Sequence, residues 1–398
     1  MSEGLRLRRY SKLSAILLCI LLAGCWDRKE INDLALVTGV AIDRKDDKQI
    51  ELSLQIFIPK GSSDPSQSLG EANSGSGGTL VQSAYGENVA EALSQLQKKM
   101  SRQIFWGHSE VILFGKERVE QNIRDDIDFL LRASQPRERS YVYVTKGRGK
   151  KILELHSMIE RNTSEVLREM SNTRTSYTTT LAQLSKMLND EGQAAVVPWV
   201  EQLPPVNPAK PDRAVGYING TALLRQGKLS GVADDKMTRG ILWIKNEMNN
   251  AVITIHPKES EGTVSAQLLH SKTKLSPSIV DGKWKMKISV SCKNDLLQNT
   301  TKLNVLQDEK TIKEIETDII ENINSRIMLT IHKAQKVYKT DIFDFGNEFH
   351  QHYPREWAKH KKDWYELFQT VEVTIETKVD LSRPGMFNSQ SMKTASAP

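Results

Sequence analysis

The hydrophobic positions along this chain change period several times, and each change marks an element. Residues 34–42 form a nearly continuous apolar run, as in a buried strand. From Ile50 the pattern alternates. Ile50, Leu52, Leu54, Ile56 and Ile58 then share one face of a second strand, which Pro59 ends. The polar stretch 44–49 predicts a hairpin between the two. Residues 61–79, rich in Ser and Gly, predict a mobile loop. Val89, Leu93, Leu96 and Met100 recur at helical spacing. Residues 104–114 read as a strand, 123–132 as a helix, 141–145 as a strand and 152–188 as helices. Pro198, Pro204, Pro205, Pro208 and Pro211 then predict a linker, because proline fixes φ and offers no N–H to a ladder.

Beyond the prolines, 216–224 and 228–232 predict a hairpin across Arg225-Gln226-Gly227. Residues 241–244 and 252–255 read as short strands. Trp284, Met286, Ile288, Val290 and Cys292 alternate with Lys and Ser, which predicts a strand buried on one face. Thr311 and Glu314 have capping-box spacing. The helix they open carries Ile312, Ile315, Ile319, Ile323, Ile327, Ala334 and Tyr338 on one stripe. After Tyr353-Pro354 a shorter helix carries Trp357, Trp364, Leu367 and Phe368, and alternation from Val371 to Leu381 predicts a last strand. The fold class predicted is mixed α/β (α+β), in several small domains, each a mixed or antiparallel sheet packed with helices. The divisions are a signal peptide at 1–24, an N-terminal α/β domain at 25–195, a proline-rich linker at 196–215, a middle β-rich domain at 216–270, a C-terminal α/β domain at 271–382 and a disordered tail at 383–398.

Composition alters this picture mainly at the N-terminus. Of 398 residues, 26% are charged and 38% hydrophobic, as in a folded globular protein. Arg6, Arg8, Arg9 and Lys12 precede a short apolar stretch, Leu13 to Leu22, and then Ala23-Gly24-Cys25. This is the layout of a signal peptide, and the apolar stretch falls short of the roughly 20 residues a spanning helix needs. Leu22-Ala23-Gly24-Cys25 resembles a bacterial lipobox, which implies that Cys25 is acylated and becomes the first residue. Removing residues 1–24 takes away four basic groups and one acidic group, so the formal charge falls from +6 to +3. That balance gives little support to a nucleic-acid partner, which calls for a concentrated basic stripe. Only Cys25 and Cys292 would remain, so with Cys25 acylated no internal disulfide forms.

Several patterns touch on chemistry. Gly107-His108-Ser109-Glu110-Val111 begins like a nucleophile elbow, but Val111 replaces the closing glycine that the strained turn requires. Ser109 therefore reads as a strand position. Thr145 to Lys151 starts like a dinucleotide fingerprint, but Ile152 stands at the third glycine position, so the segment reads first as a tight basic turn. A second reading has Lys146, Arg148, Lys150 and Lys151 face anionic headgroups or an acidic partner surface. His350, His352 and His360 lie among acids, yet i and i+2 on a helix diverge, so a metal is not expected. Cys292 reads as a buried, inert thiol. Asp27, Arg28, Lys29 and Glu30 follow the anchor and either meet a partner or hydrate the tether. No cofactor is expected.

Four segments carry a resemblance. Gly24–Arg44 (GCWDRKEINDLALVTGVAIDR) is similar to the N-terminal signature of the Ger(x)C family of spore germination lipoproteins, with Cys25, Trp26, Asp27, Asn32, Asp33, Leu34, Gly39 and Asp43 in place. Gly107–Gly115, Asp128–Gly147 and Gly220–Asn246 resemble later parts of the same family, in order. The resemblance implies several mixed α/β domains and no catalytic activity. It implies the C subunit of a nutrient germinant receptor, held by acylated Cys25 on the outer face of the spore inner membrane. There it would join two membrane-spanning partner subunits, with no nucleic acid involved. Two other readings compete: an envelope lipoprotein that binds a small solute, and a cell-wall-directed hydrolase.

Overall fold

The computed structural model describes residues 33–58, 78–133, 135–156, 159–205, 214–303 and 309–383. Cys25, the four charged residues after it, the loop 61–77, Pro208, Pro211 and the tail beyond Arg383 lie outside the described residues. The first nine strands are β1 (Leu34–Arg44), β2 (Ile50–Phe57), β3 (Thr79–Gly86), β4 (Gln103–Phe105), β5 (Val111–Gly115), β6 (Tyr141–Thr145), β7 (Ala194–Gln202), β8 (Gly216–Arg225) and β9 (Lys228–Ala233). They make one mixed sheet in the order β3-β2-β1-β5-β6-β7-β8-β9, with β4 beside the start of β1. The central four, β1, β5, β6 and β7, run parallel. Antiparallel hairpins flank them on both sides.

The helices of this half are α1 (Val89–Gln97), α2 (Lys116–Val119), α3 (Arg124–Arg132), α4 (Gly149–Leu153), α5 (Thr163–Asn172) and α6 (Leu181–Asn189). They cover the sheet on both faces, which explains the unbroken apolar runs. Val40, Ile42, Ile112 and Phe114 enter one core. Ala41, Val111 and Leu113 enter the other, against Ile152, Leu153 and Leu167 of α4 and α5. The alternation in β2 predicts a wet second face. Instead Glu51, Ser53 and Gln55 are buried, because α4 and α5 lie over them. Gln55 is satisfied there: its amide donates to the Leu153 carbonyl at 2.8 Å, and its oxygen accepts from Ser164 Oγ at 2.6 Å.

The second half contains α7 (Asp235–Ile244), β10 (Val252–Ile255), β11 (Val264–Val280), β12 (Lys283–Asn299), α8 (Glu309–His332), α9 (Phe345–His352), α10 (Pro354–His360), α11 (Trp364–Phe368) and β13 (Glu372–Arg383). Its sheet has the order β10-β11-β12-β13. Trp284, Met286, Ile288, Val290 and Cys292 on β12 are buried as the alternation predicts, and the isoleucine stripe of α8 is buried with them in one core. A π-helical turn, Lys333–Val337, ends α8.

Several expectations need correction. Residues 241–244 belong to α7, not to a strand. The Asp234 side chain accepts from the Met237 N–H at 2.8 Å, an N-cap worth about 1 kcal/mol. Met237, Ile241 and Ile244 then recur with helical period. Residues 104–114 form two strands, β4 and β5, parted by a turn that holds Ser109. Residues 196–202 are strand rather than linker. Pro198 sits in β7 where the β7–β8 ladder is irregular, and β6 reaches β7 only at Trp199 and Val200, so no long ladder is interrupted. The Leu203 N–H donates to the Val215 carbonyl at 2.9 Å, so the described ends of the proline stretch join neighbouring strands of one sheet. Residues 216–270 divide between the sheets: β8 and β9 complete the first, while β10 and the start of β11 open the second. The capping-box reading fails because α8 already begins at Glu309, which puts Thr311 inside its first turn. The shorter helix is two, α10 and α11, joined by a 3-10 turn at Lys361–Asp363, with Pro354 opening α10 where its missing N–H has no intrahelical role.

Candidate functional site

The parallel strands β1, β5 and β6 end side by side, the position where open α/β sheets gather ligands. Three of the four resemblance segments converge there. Asp43 lies at the end of β1, Gly115 closes β5 and Gly147 follows β6. They line a crevice of about 300 Å³. Asp43 is buried, and its two carboxylate oxygens accept the N–H groups of Gly149 at 2.7 Å and Lys150 at 2.9 Å, at the start of α4. Burial raises its pKa above the usual carboxylate value, while those two N–H groups pull it back. Gly115 is required by closeness: a Cβ there would overlap Asp43 Oδ1 and lie 3.3 Å from the Gly147 carbonyl.

The basic turn beside this crevice is committed within the chain. Arg148 pairs with the buried Glu51, and Lys150 Nζ reaches the same carboxylate at 3.0 Å. Lys146 pairs with Glu201 at 3.1 Å and Lys151 with Glu154 at 3.0 Å. All four cations that sequence offered to an anionic surface thus already have partners. The arrangement locks the β6–α4 junction onto β1 and β2. Sequence reasoning missed Glu51, because period-2 alternation assigns it to water; only the paired cations a hundred residues on hint otherwise.

The other candidates are dispersed. Ser109 is buried in the turn before β5, and its carbonyl accepts from Ser140 Oγ at 2.7 Å. No described residue accepts from or donates to its hydroxyl. His350 Nδ1 lies 2.9 Å from Glu191, His352 Nδ1 lies 2.9 Å from the Glu348 carbonyl, and His360 packs edge-on against Trp284. Among the described residues no group of three or more His, Cys, Asp and Glu side chains is placed to hold a metal. Cys292 is buried, and burial raises its thiol pKa. No helix among the described residues is long and apolar enough to cross a membrane.

A second polar centre lies where the two halves meet, built on Asp341 and Asp344, two of the acids that lie near the three histidines in sequence. Asp341 is fully buried. It accepts N–H groups from Phe345 at 3.1 Å and Gly346 at 2.8 Å, and the Trp364 indole N–H at 3.0 Å. Burial pushes its pKa up to about 6, against the pull of those donors. Nearby, Lys245 pairs with Asp344. Burial opposes the Lys245 ammonium, but the oxygens of Tyr177 and Asp344 outweigh it and raise its pKa. Tyr365 Oη donates to the Gly192 carbonyl at 3.2 Å, and Tyr338 Oη to that of Val232 at 3.1 Å. A Cβ on Gly231 would overlap the Tyr338 ring, so glycine there permits the contact between halves.

Fold and site together define a two-sheet α+β protein whose polar centres lock its own elements together. It belongs to a family of spore germination proteins. Residues 27–202 match the family described as spore germination protein N-terminal domain, and residues 219–385 match that described as spore germination B3/GerAC like, C-terminal. The chain is 26% identical to the putative spore germination protein YfkR of Bacillus subtilis, over 95% of this chain and 97% of that one. It is 24% identical to spore germination protein KC of the same organism, over 94% and 95%. The crystal structure of the GerBC protein has a similar fold, with a TM-score of 0.57 at 20% identity, covering 90% of this chain and 100% of that one.

Proposed function

We propose that this spore germination protein is a non-enzymatic, lipid-anchored subunit of a nutrient germinant receptor. In this reading acylated Cys25 holds it on the outer face of the spore inner membrane, where it contacts two membrane-spanning subunits. The observation that carries the non-enzymatic part is the state of the carboxyl-end crevice. Asp43 is engaged by two backbone N–H groups, and Glu51 and the four cations of the turn are paired with one another or with neighbouring acids. Catalysis needs an acid, base or nucleophile poised toward a substrate; these groups are poised toward each other. Anchoring rests on the run into Cys25, since two acyl chains hold a protein to a bilayer far better than one. The test is Cys25→Ala in the organism that makes the protein. The variant is expected to fold, to leave the membrane fraction and to abolish nutrient-triggered germination. Germination at the normal rate with the variant confirmed soluble would refute the reading.

A further inference from the structure

Away from the crevice, α1 and the C-terminal end of α3 stand apart over β4 and leave a groove of about 590 Å³. Its volume falls within the range of small-molecule sites, and its make-up is that of such a site: apolar walls with a few polar groups. Leu93, Ile104 and Phe129 supply the walls. The Gln97 side chain fixes one side, taking the Ile104 N–H at 2.9 Å and donating to the Arg102 carbonyl at 3.0 Å.

Two lining groups keep unused donors. Trp106 is 3% exposed, and its indole N–H donates to no described residue. The Gln135 side-chain oxygen accepts the Trp106 backbone N–H at 3.2 Å, which leaves the Gln135 amide hydrogens without a described acceptor. Both donors keep access to solvent, so an oxygen acceptor on a ligand in the groove would take the place of water and match them. The charge is one-sided as well. Among the described residues no carboxylate lines the groove, and the one charged residue there is Lys98. An ammonium-bearing ligand would find no counter-ion there, whereas a carboxylate or an uncharged amide would be matched.

We propose that this groove binds a small amphiphile with an apolar body and an anionic or uncharged oxygen-bearing end. The site stands apart from the crevice and does not depend on the receptor assignment.

Three probes with one apolar body separate the possibilities: indole-3-acetate, indole-3-acetamide and tryptamine. They are titrated by calorimetry into the full chain in mild detergent, with the same detergent solution as reference. The acetate and the acetamide are expected to bind once per chain, with Kd on the order of 0.1–1 mM for ligands of this size. Tryptamine should bind at least about tenfold more weakly. Lys98→Ala is expected to weaken the acetate about fivefold and leave the acetamide unchanged, since the side chain is exposed and its removal does not touch the core. Ala133→Trp, which fills the groove from the end of α3, should abolish binding of both. Equal binding of tryptamine and indole-3-acetate would overturn the proposal. So would binding that Ala133→Trp leaves intact, or no binding of any probe to the folded chain.

Discussion

Asp43 and Gly115 are predicted to act as one unit, and a double-mutant cycle would reveal it. Asp43→Ala removes the acceptor for two N–H groups, those of Gly149 at 2.7 Å and Lys150 at 2.9 Å. An unmatched buried donor costs about 1–3 kcal/mol. The loss is partly offset, because the raised pKa of Asp43 shows that its buried charge is itself held at a cost. A net destabilisation of about 2–3 kcal/mol is expected. Gly115→Ala reaches the same place from the other side, for its new Cβ would overlap Asp43 Oδ1 and dislodge the carboxylate. Overpacking of this kind costs about 1–3 kcal/mol. With Asp43 already replaced by Ala, the Oδ1 atom is gone, and Gly115→Ala should cost far less. Urea unfolding of the full chain in detergent, followed by tryptophan fluorescence, measures each variant. The coupling should exceed about 1 kcal/mol with m values unchanged. Strict additivity would refute the account of this joint.

Two further outcomes concern the meeting of the halves. The Asp341 pKa stands at about 6 in the folded protein against an ordinary 3.8, so between those values the folded chain binds the extra proton. Stability from this group is therefore least above pH 6 and grows as pH falls toward 4. Relative to Asp341→Asn, the wild type should gain up to about 3 kcal/mol across that window in urea unfolding; a gap that stays flat or narrows on acidification refutes the assignment. Gly231→Ala should push Tyr338 off β9, lower stability by about 1–3 kcal/mol and speed limited proteolysis between the two sheets. An unchanged digestion rate would show that the contact does not bind the halves together.

The sequence by itself determined most elements and the family. Where one period governs a segment, as in the isoleucine stripe of α8 or the alternation of β12, burial follows from the arithmetic of the repeat. The hairpin at 225–227 was legible too, because Gln226 and Gly227 take positive φ, as the tight turn requires. What tertiary structure decided is the fate of polar residues. Alternation sends Glu51 and Gln55 to water, and only the helices laid over β2 show that both are buried and matched from about a hundred residues away. Pro198 reads as a break until the ladder around it proves short and irregular. Asp341 carries no local pattern, yet it becomes a buried acceptor because Gly346 and Trp364 fold back onto it. Periodicity is a local property that a chain displays along its length. The partner of a buried charge is a long-range property, fixed only when the sheets and helices close.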